Sequence, residues 1–167
     1  MPQDFSFDVV SEFDRQELVN AIDQTMREVG TRYDLKDTGS TIELEGNILK
    51  VHSASDMSLK AVGDVLLGKV VRRGLSPKVL DFGKVEDATK GTVRQTITLQ
   101  KGLSSELAKE ISKAVRDELP KLKTQIQGDA VRITGRAKDE LQSAMRVLRQ
   151  AEEDRKWTVP LQFTNYR

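Results

Sequence analysis

The sequence predicts an α+β protein made of two copies of one module, each a four-stranded antiparallel sheet covered on one face by two helices. Three observations carry this. The stretch Thr124 to Gln142 reads as strand, tight turn, strand and helix start, with Ile126, Val131 and Ile133 alternating against Gln125, Gln127, Arg132 and Thr134 around Gly128-Asp129. The same unit occurs at Ile42 to Val62, where Gly46-Asn47 matches Gly128-Asp129, Lys50 matches Arg132 and Leu59 matches Leu141 at a constant offset of 82 residues. Each half of the chain reads strand, helix, hairpin, helix, strand, the βαββαβ order of ferredoxin-like folds.

Taken in order, Phe5, Phe7 and Val9 alternate with Ser6 and Asp8 as a short strand. A helix is expected from about Asp14, which has capping-box spacing to Glu17, with Leu18, Ile22, Met26 and Val29 as its apolar stripe up to Gly30. Thr31 to Gly39 is a polar connection. After the first hairpin, Ser55 or Asp56 caps a helix whose Leu59, Val62, Leu66 and Val70 face the core, with Gly74 as its stop. Gly63 and Gly68 are unfavourable inside it. Val79 to Phe82 is a short strand and Gly83 to Gly91 a charged bend. The strand TVRQTITLQKG follows, with Val93, Ile97 and Leu99 on one face and Arg94, Thr96, Thr98 and Gln100 on the other. Ser104 caps a helix bearing Leu107, Ile111, Val115 and Leu119, which Pro120 closes. In the second hairpin Gln127 pairs with Ala130, Ile126 with Val131 and Gln125 with Arg132, so the apolar side chains share a face. Its helix carries Leu141, Ala144, Met145 and Leu148, and the charged AEEDRK segment leads to Val159, Leu161 and Phe163 as a final strand.

Composition narrows the classes. With 37 % hydrophobic and 32 % charged residues among 167, the balance is soluble and globular. No apolar run approaches the roughly 18 residues of a membrane span, and MPQDFSFDVV lacks the basic and apolar segments of a signal peptide, so a cytoplasmic location is expected. The absence of cysteine excludes disulfides, thiolate metal sites and a cysteine nucleophile. Net charge is +1, unevenly spread: residues 1–83 hold 10 Lys and Arg against 14 Asp and Glu, residues 84–167 hold 17 against 12. By this count the second half is the better anion binder.

A sheet with helices on one face leaves the other face open, and RNA-recognition modules use such faces by stacking bases on aromatics. Here Phe5, Phe7 and Phe163 are in phase with the core, and only eight aromatic residues exist in all. Stacking recognition on the open face is therefore disfavoured. Phosphate binding by Arg94, Arg132, Arg136 and Lys138 stays open. Catalytic constellations are missing. The lone His52 falls opposite Thr41 with no Ser-His-Asp spacing, and there is no phosphate-binding Gly-x-x-x-x-Gly-Lys-Ser/Thr loop, His-Glu-x-x-His or Ca²⁺ loop. A non-enzymatic protein with no metal and no cofactor is expected.

FSFDVVSE near the start, IQGDAVRITG with the following KDELQ, and VPLQFTNYR at the end resemble the bacterial YajQ family, as do RYDL at Arg32 to Leu35, VRRG at Val71 to Gly74 and GTVRQTITLQKG. The departures fall at His52–Asp56, at Arg136–Glu140 and in AEEDRKWT, a more charged approach to the last strand. The resemblance implies two ferredoxin-like modules that exchange their first strands: 11–101 as the first, and 1–10 with 102–167 as the second. Under that exchange the charge asymmetry nearly vanishes, with 14 bases against 14 acids in the first module and 13 against 12 in the second. It also implies that neither module folds alone, each lacking an inner strand. Similar proteins are described as nucleotide-binding, some as cyclic di-GMP receptors that relay a signal to a regulatory protein partner or to transcription, and GTP and transfer RNA have been attached to the family. A cyclic dinucleotide wants guanidinium groups for its phosphates and amides for its base edges, in a groove such as the seam between the modules. The phosphate candidates are Arg94, Lys101, Arg132, Arg136 and Lys138. Gln100, Gln125, Gln127 and Gln162 are the base-edge candidates. The alternative is an RNA- or DNA-binding accessory protein that tracks phosphate.

Overall fold

The computed structural model describes residues 4–155 and 157–167. The chain divides into two compact units, one made of 13–100 and the other of the residues up to Glu12 together with 101–167. In chain order the elements are β1 (Phe5–Val10), α1 (Arg15–Thr31), β2 (Thr41–Glu45), β3 (Ile48–Ser53), α2 (Asp56–Arg72), β4 (Leu80–Asp87), β5 (Val93–Leu99), α3 (Ser105–Glu118), β6 (Lys123–Gln127), β7 (Ala130–Gly135), α4 (Lys138–Asp154) and β8 (Gln162–Thr164). They form two antiparallel four-stranded sheets, ordered β2-β3-β5-β4 and β6-β7-β1-β8. This is the tandem ferredoxin-like architecture with exchanged strands. The strand at the chain start occupies an inner place in the sheet built otherwise from the chain's last third.

In the 13–100 unit, α1 and α2 pack on the sheet through Leu18, Ile22, Leu59, Val62 and Leu66 against Leu49, Val51 and Ile97. The Asp14 side chain accepts from the N–H groups of Gln16 and Glu17 and so starts α1. Ser55 starts α2 with a reciprocal capping box to Ser58. Gly74, at φ 84°, ends α2. The N–H of Leu75 reaches the Val70 carbonyl and that of Gly74 the Val71 carbonyl, which together satisfy the last turn. Gly63 has a packing reason, since a Cβ there would lie 3.2 Å from the Phe82 ring. Leu35, inside the nominally polar connection, is 1 % exposed and belongs to the core.

Two expectations are corrected here. The charged bend at Gly83–Gly91 is instead mostly strand, because β4 runs to Asp87 through an irregularity between Phe82 and Val85. Its charged side chains are exposed on an edge strand, a common device against edge pairing. Gly83 lies so close to β5 that a Cβ would meet the Thr96 carbonyl oxygen at 2.6 Å. The turn itself is confined to Thr89–Gly91. The final strand is also shorter than expected, covering only Gln162–Thr164, while Ala151 to Asp154 continue α4. Pro160 has no N–H for a ladder, yet Trp157 and Leu161 on either side of it are buried. Lys156 of the charged segment lies outside the described residues.

In the other unit, α3 and α4 cover Phe7, Val9, Val131 and Ile133 with Ile111, Val115, Leu141 and Leu148. Phe7 and Val9 both stand on β1 and are fully buried.

The strand exchange bears on folding differently in the two units. The expectation that each unit lacks an inner strand is corrected for one of them: all four strands β2 to β5 lie within 13–100, whereas 101–167 without β1 would have a gap between β7 and β8. A fragment spanning 13–100 is therefore expected to unfold cooperatively on its own. A fragment spanning 101–167 should show no protected amides in hydrogen exchange until a peptide covering β1 is added. Phe7→Ala in the full chain should cost about 3–5 kcal/mol, read from denaturant unfolding of this unit.

Candidate functional site

On the β6-β7-β1-β8 sheet the side chains that do not face α3 and α4 form cross-strand rows. One row runs Gln125, Arg132, Asp8, Thr164, and a second contains Lys123, Thr134 and Ser6. Within the first row the Arg132 Nε donates to Asp8 Oδ1 at 2.9 Å and its Nη2 to Asp8 Oδ2 at 3.3 Å, while the Asn165 amide donates to Oδ2 at 2.9 Å. Asp8 is 9 % exposed. The Arg132 guanidinium holds its carboxyl below the ordinary carboxylate value against the opposing pull of burial, and Asp8 in turn raises Arg132. Arg132, the central phosphate candidate, thus ties β7 to β1 with two of its five donors.

Asn165 reaches Asp8 because its backbone is left-handed, at φ 59°. Thr164 is opposite Asp8, and Arg167 exchanges both backbone hydrogen bonds with Ser6, so Asn165 and Tyr166 together oppose Phe7. This is a bulge, and it re-aims the side chains that follow it. The Tyr166 ring stacks on Phe7 with centroids 6.2 Å apart and an interplanar angle of 27°.

The remaining candidates are dispersed. Arg94 and Gln100 belong to the 13–100 unit, where Arg94 pairs with Glu86 at 3.2 Å and Gln100 donates to Asp81 at 3.1 Å. The open face there carries Glu43, Glu45, Asp81 and Glu86 against Lys50 and Arg94, and Lys50 is held by Glu45 at 2.9 Å, which raises its pKa. It is a poor phosphate surface. His52 Nε2 meets the Thr92 hydroxyl at 2.9 Å. Lys101 is exposed outside any strand, and Gln162 accepts from the Glu12 N–H at 2.6 Å. Gln125 and Gln127 are exposed on β6. No group of three His, Asp or Glu among the described residues is placed to hold a metal ion. No helix of the described chain is long and apolar enough to cross a membrane.

Cationic side chains do converge at the end of the sheet where β1 begins and β7 ends. A cavity of about 510 Å³ is lined by Lys121, Lys123, Thr134, Gly135, Arg136, Asp4 and Glu140. Local folding explains it. Leu122 is buried, and Gly135 has no side chain in its way, since a Cβ there would come within 2.6 Å of Leu122 Cδ2. Burying Leu122 leaves its neighbours Lys121 and Lys123 exposed. Arg136 follows the last residue of β7, and α4 starts two residues later with no side-chain cap on its first turn. Three cations face two carboxylates, in a space of the size that holds small-molecule ligands. Arg136 was legible in the sequence as an anion candidate. Lys121 and Lys123 were not, although Lys-Leu-Lys after Pro120 is the pattern of one buried residue between two exposed ones.

A second cavity, of about 360 Å³, adjoins this region and is lined by Phe5, Ser6, Lys138, Leu141, Gln142, Met145, Tyr166 and Arg167. Lys138 Nζ stands 5.5 Å from the centroid of the Phe5 ring. The aromatics absent from the open face are thus present at the helix side of β1.

Comparison with known proteins places this architecture. Residues 5–167 match the family described as nucleotide-binding protein YajQ-like. The chain is 54 % identical to a nucleotide-binding protein of Chloroflexus aggregans over 167 residues, all of both chains. It is 53 % identical to one of Picosynechococcus over 97 % of both, and 52 % identical to one of Prochlorococcus marinus over the whole of both.

The Asp8–Arg132 pair makes stability depend on pH with a definite sign. A carboxyl whose folded pKa lies below its unfolded value contributes stability above the unfolded value, about 3.9, and loses it as pH falls through the folded value. Asp8→Asn should melt lower than the unaltered chain at pH 7. The gap should close as pH falls from about 5 to about 2, in melting curves recorded across that range.

Proposed function

This chain belongs to the YajQ-like family, and from that premise we propose that it binds a nucleotide without transforming it, cyclic di-GMP before GTP, and relays the bound state to a protein or nucleic-acid partner. The observation that supports this reading is the convergence of Lys121, Lys123 and Arg136 on one cavity beside Thr134. A nucleotide phosphate is a compact, multiply accepting anion, and charge-assisted hydrogen bonds from a guanidinium and two ammonium groups are among the strongest available to it. Asp4 and Glu140 in the same lining oppose indiscriminate anion binding and offer acceptors to sugar or base N–H and O–H groups. The names carried by the relatives, nucleotide-binding proteins throughout, agree with this chemistry.

The open face supports a second reading. Lys123, Gln125, Gln127 and Arg132 form a polar strip with no aromatic, which suits a nucleic-acid backbone followed by its phosphates. Salt separates the two readings. A closed dinucleotide site responds modestly to ionic strength, whereas phosphate tracking loses affinity steeply.

Calorimetric titration with cyclic di-GMP, GTP and a short single-stranded RNA at two salt concentrations is the test. Saturable cyclic di-GMP binding with a shallow salt slope is expected, weakened roughly tenfold or more by Arg136→Ala and by Lys123→Ala. Salt-steep RNA binding without cyclic di-GMP binding would favour the second reading. Unchanged affinity in both variants would remove the phosphate from this cavity.

A further inference from the structure

We propose that the cavity between Phe5, Tyr166, Leu141 and Met145 is a guanine subsite, seating the base of the nucleotide whose phosphate lies on Lys121, Lys123 and Arg136; the inference rests on the phosphate reading above. Its lining joins the apolar Phe5, Leu141, Met145 and Tyr166 to two cations, Lys138 and Arg167, and one amide, Gln142; Arg167 also acts by its charge on Asp8. Aromatic and aliphatic walls of this kind take the π-face of a base. Tyr166 is pre-positioned for that task. The left-handed backbone of Asn165 turns the chain, Phe7 stacks against the tyrosine ring, and 61 % of the residue stays exposed.

The charged and amide groups choose among bases. Guanine presents two acceptors, O6 and N7, on one edge, whereas adenine presents N7 beside an amino donor. Lysine and arginine side chains carry donors only. Lys138 and Arg167 therefore match the guanine edge and set a donor against the adenine amino group. Gln142, with both a donor and an acceptor, is suited to the remaining polar edge.

Position links this cavity to the phosphate cavity. Phe5 is the register partner of Gly135 and Ser6 that of Thr134, and Gly135 and Thr134 line the phosphate cavity. Arg136 and Lys138, one on each cavity, are two residues apart. Cross-strand partners sit about 5 Å apart, so residues lining the two cavities are neighbours on β1 and β7. The base enters on the helix side of β1 and the phosphate lies around the end of the strand.

The experiment uses the full chain and four probes: GMP, AMP, guanosine and inorganic phosphate, the last followed by ³¹P linewidth and the others by calorimetry. Tyr166→Ala should weaken GMP roughly five- to a hundredfold and leave phosphate binding unchanged, while Tyr166→Phe binds as the unaltered chain does. GMP should bind at least tenfold tighter than AMP, and Lys138→Met should narrow that gap. Guanosine should bind weakly and lose binding in Tyr166→Ala but not in Arg136→Ala. Equal melting temperatures for the Tyr166 variants serve as the folding control. If Arg136→Ala weakens GMP but Tyr166→Ala does not, the base lies elsewhere and the inference falls while the phosphate reading stands. If Tyr166→Ala weakens GMP and guanosine but Arg136→Ala affects neither, the subsite stands and the phosphate reading falls. Equal affinity for GMP and AMP overturns the assignment of guanine.

Discussion

One carboxylate, Asp8, sits where three segments distant in sequence meet. The inner strand β1 carries it, β7 supplies Arg132 from one side, and the turn after β8 supplies Asn165 from the other. Burying a carboxylate is costly unless it is paired and hydrogen-bonded. Asp8 receives three charge-assisted or amide donors, and so the open face of the sheet is locked in one register. On its other face the same strand places Phe7 and Val9 in the core. At its beginning, Asp4 and Phe5 line the two cavities. Core, open face and candidate site therefore all depend on one exchanged strand.

The repeat makes the specialisation visible. Arg132 and Lys50 are equivalent positions of the two hairpins, but their neighbours on the inner strand differ, Asp8 beside Arg132 and Thr96 beside Lys50. Arg132 gains a bidentate partner across strands, while Lys50 turns to the exposed Glu45 within its own hairpin. Surface ion pairs of the second kind are weakly held and add little order. The two open faces accordingly differ in charge, acid-rich around Lys50 and more basic around Arg132. A duplicated backbone has diverged in what its equivalent positions can bind.

Arg136 and Lys138 were phosphate candidates by residue type in the sequence, and each lines one of the two cavities. Gln125 is beside Arg132, as the hairpin register required. Arg94 and Gln100 were grouped with them by residue type, but pairing in the 13–100 sheet engages them with Glu86 and Asp81. Lys121 and Lys123 escaped notice because their relevance comes from Leu122 fitting over Gly135, a contact between residues 13 positions apart. Tyr166 escaped because it lies beyond the last strand pattern, where only the bulge at Asn165 turns it toward Phe5 and α4.

Alternation, turn glycines and caps by themselves determined the hairpins, their registers, the helices and the open sheet faces, because each depends on neighbours a few residues away. The departures occurred where distant contacts prevail over local pattern: Leu35 buried within a polar connection, β4 extended along β5 despite its charges, and β8 cut short beyond Pro160. Only the tertiary structure decided which basic residues share a cavity. Sequence periodicity says which face a side chain takes, but the packing of β1, β7, α4 and the last residues sets the distances among groups that no local period relates.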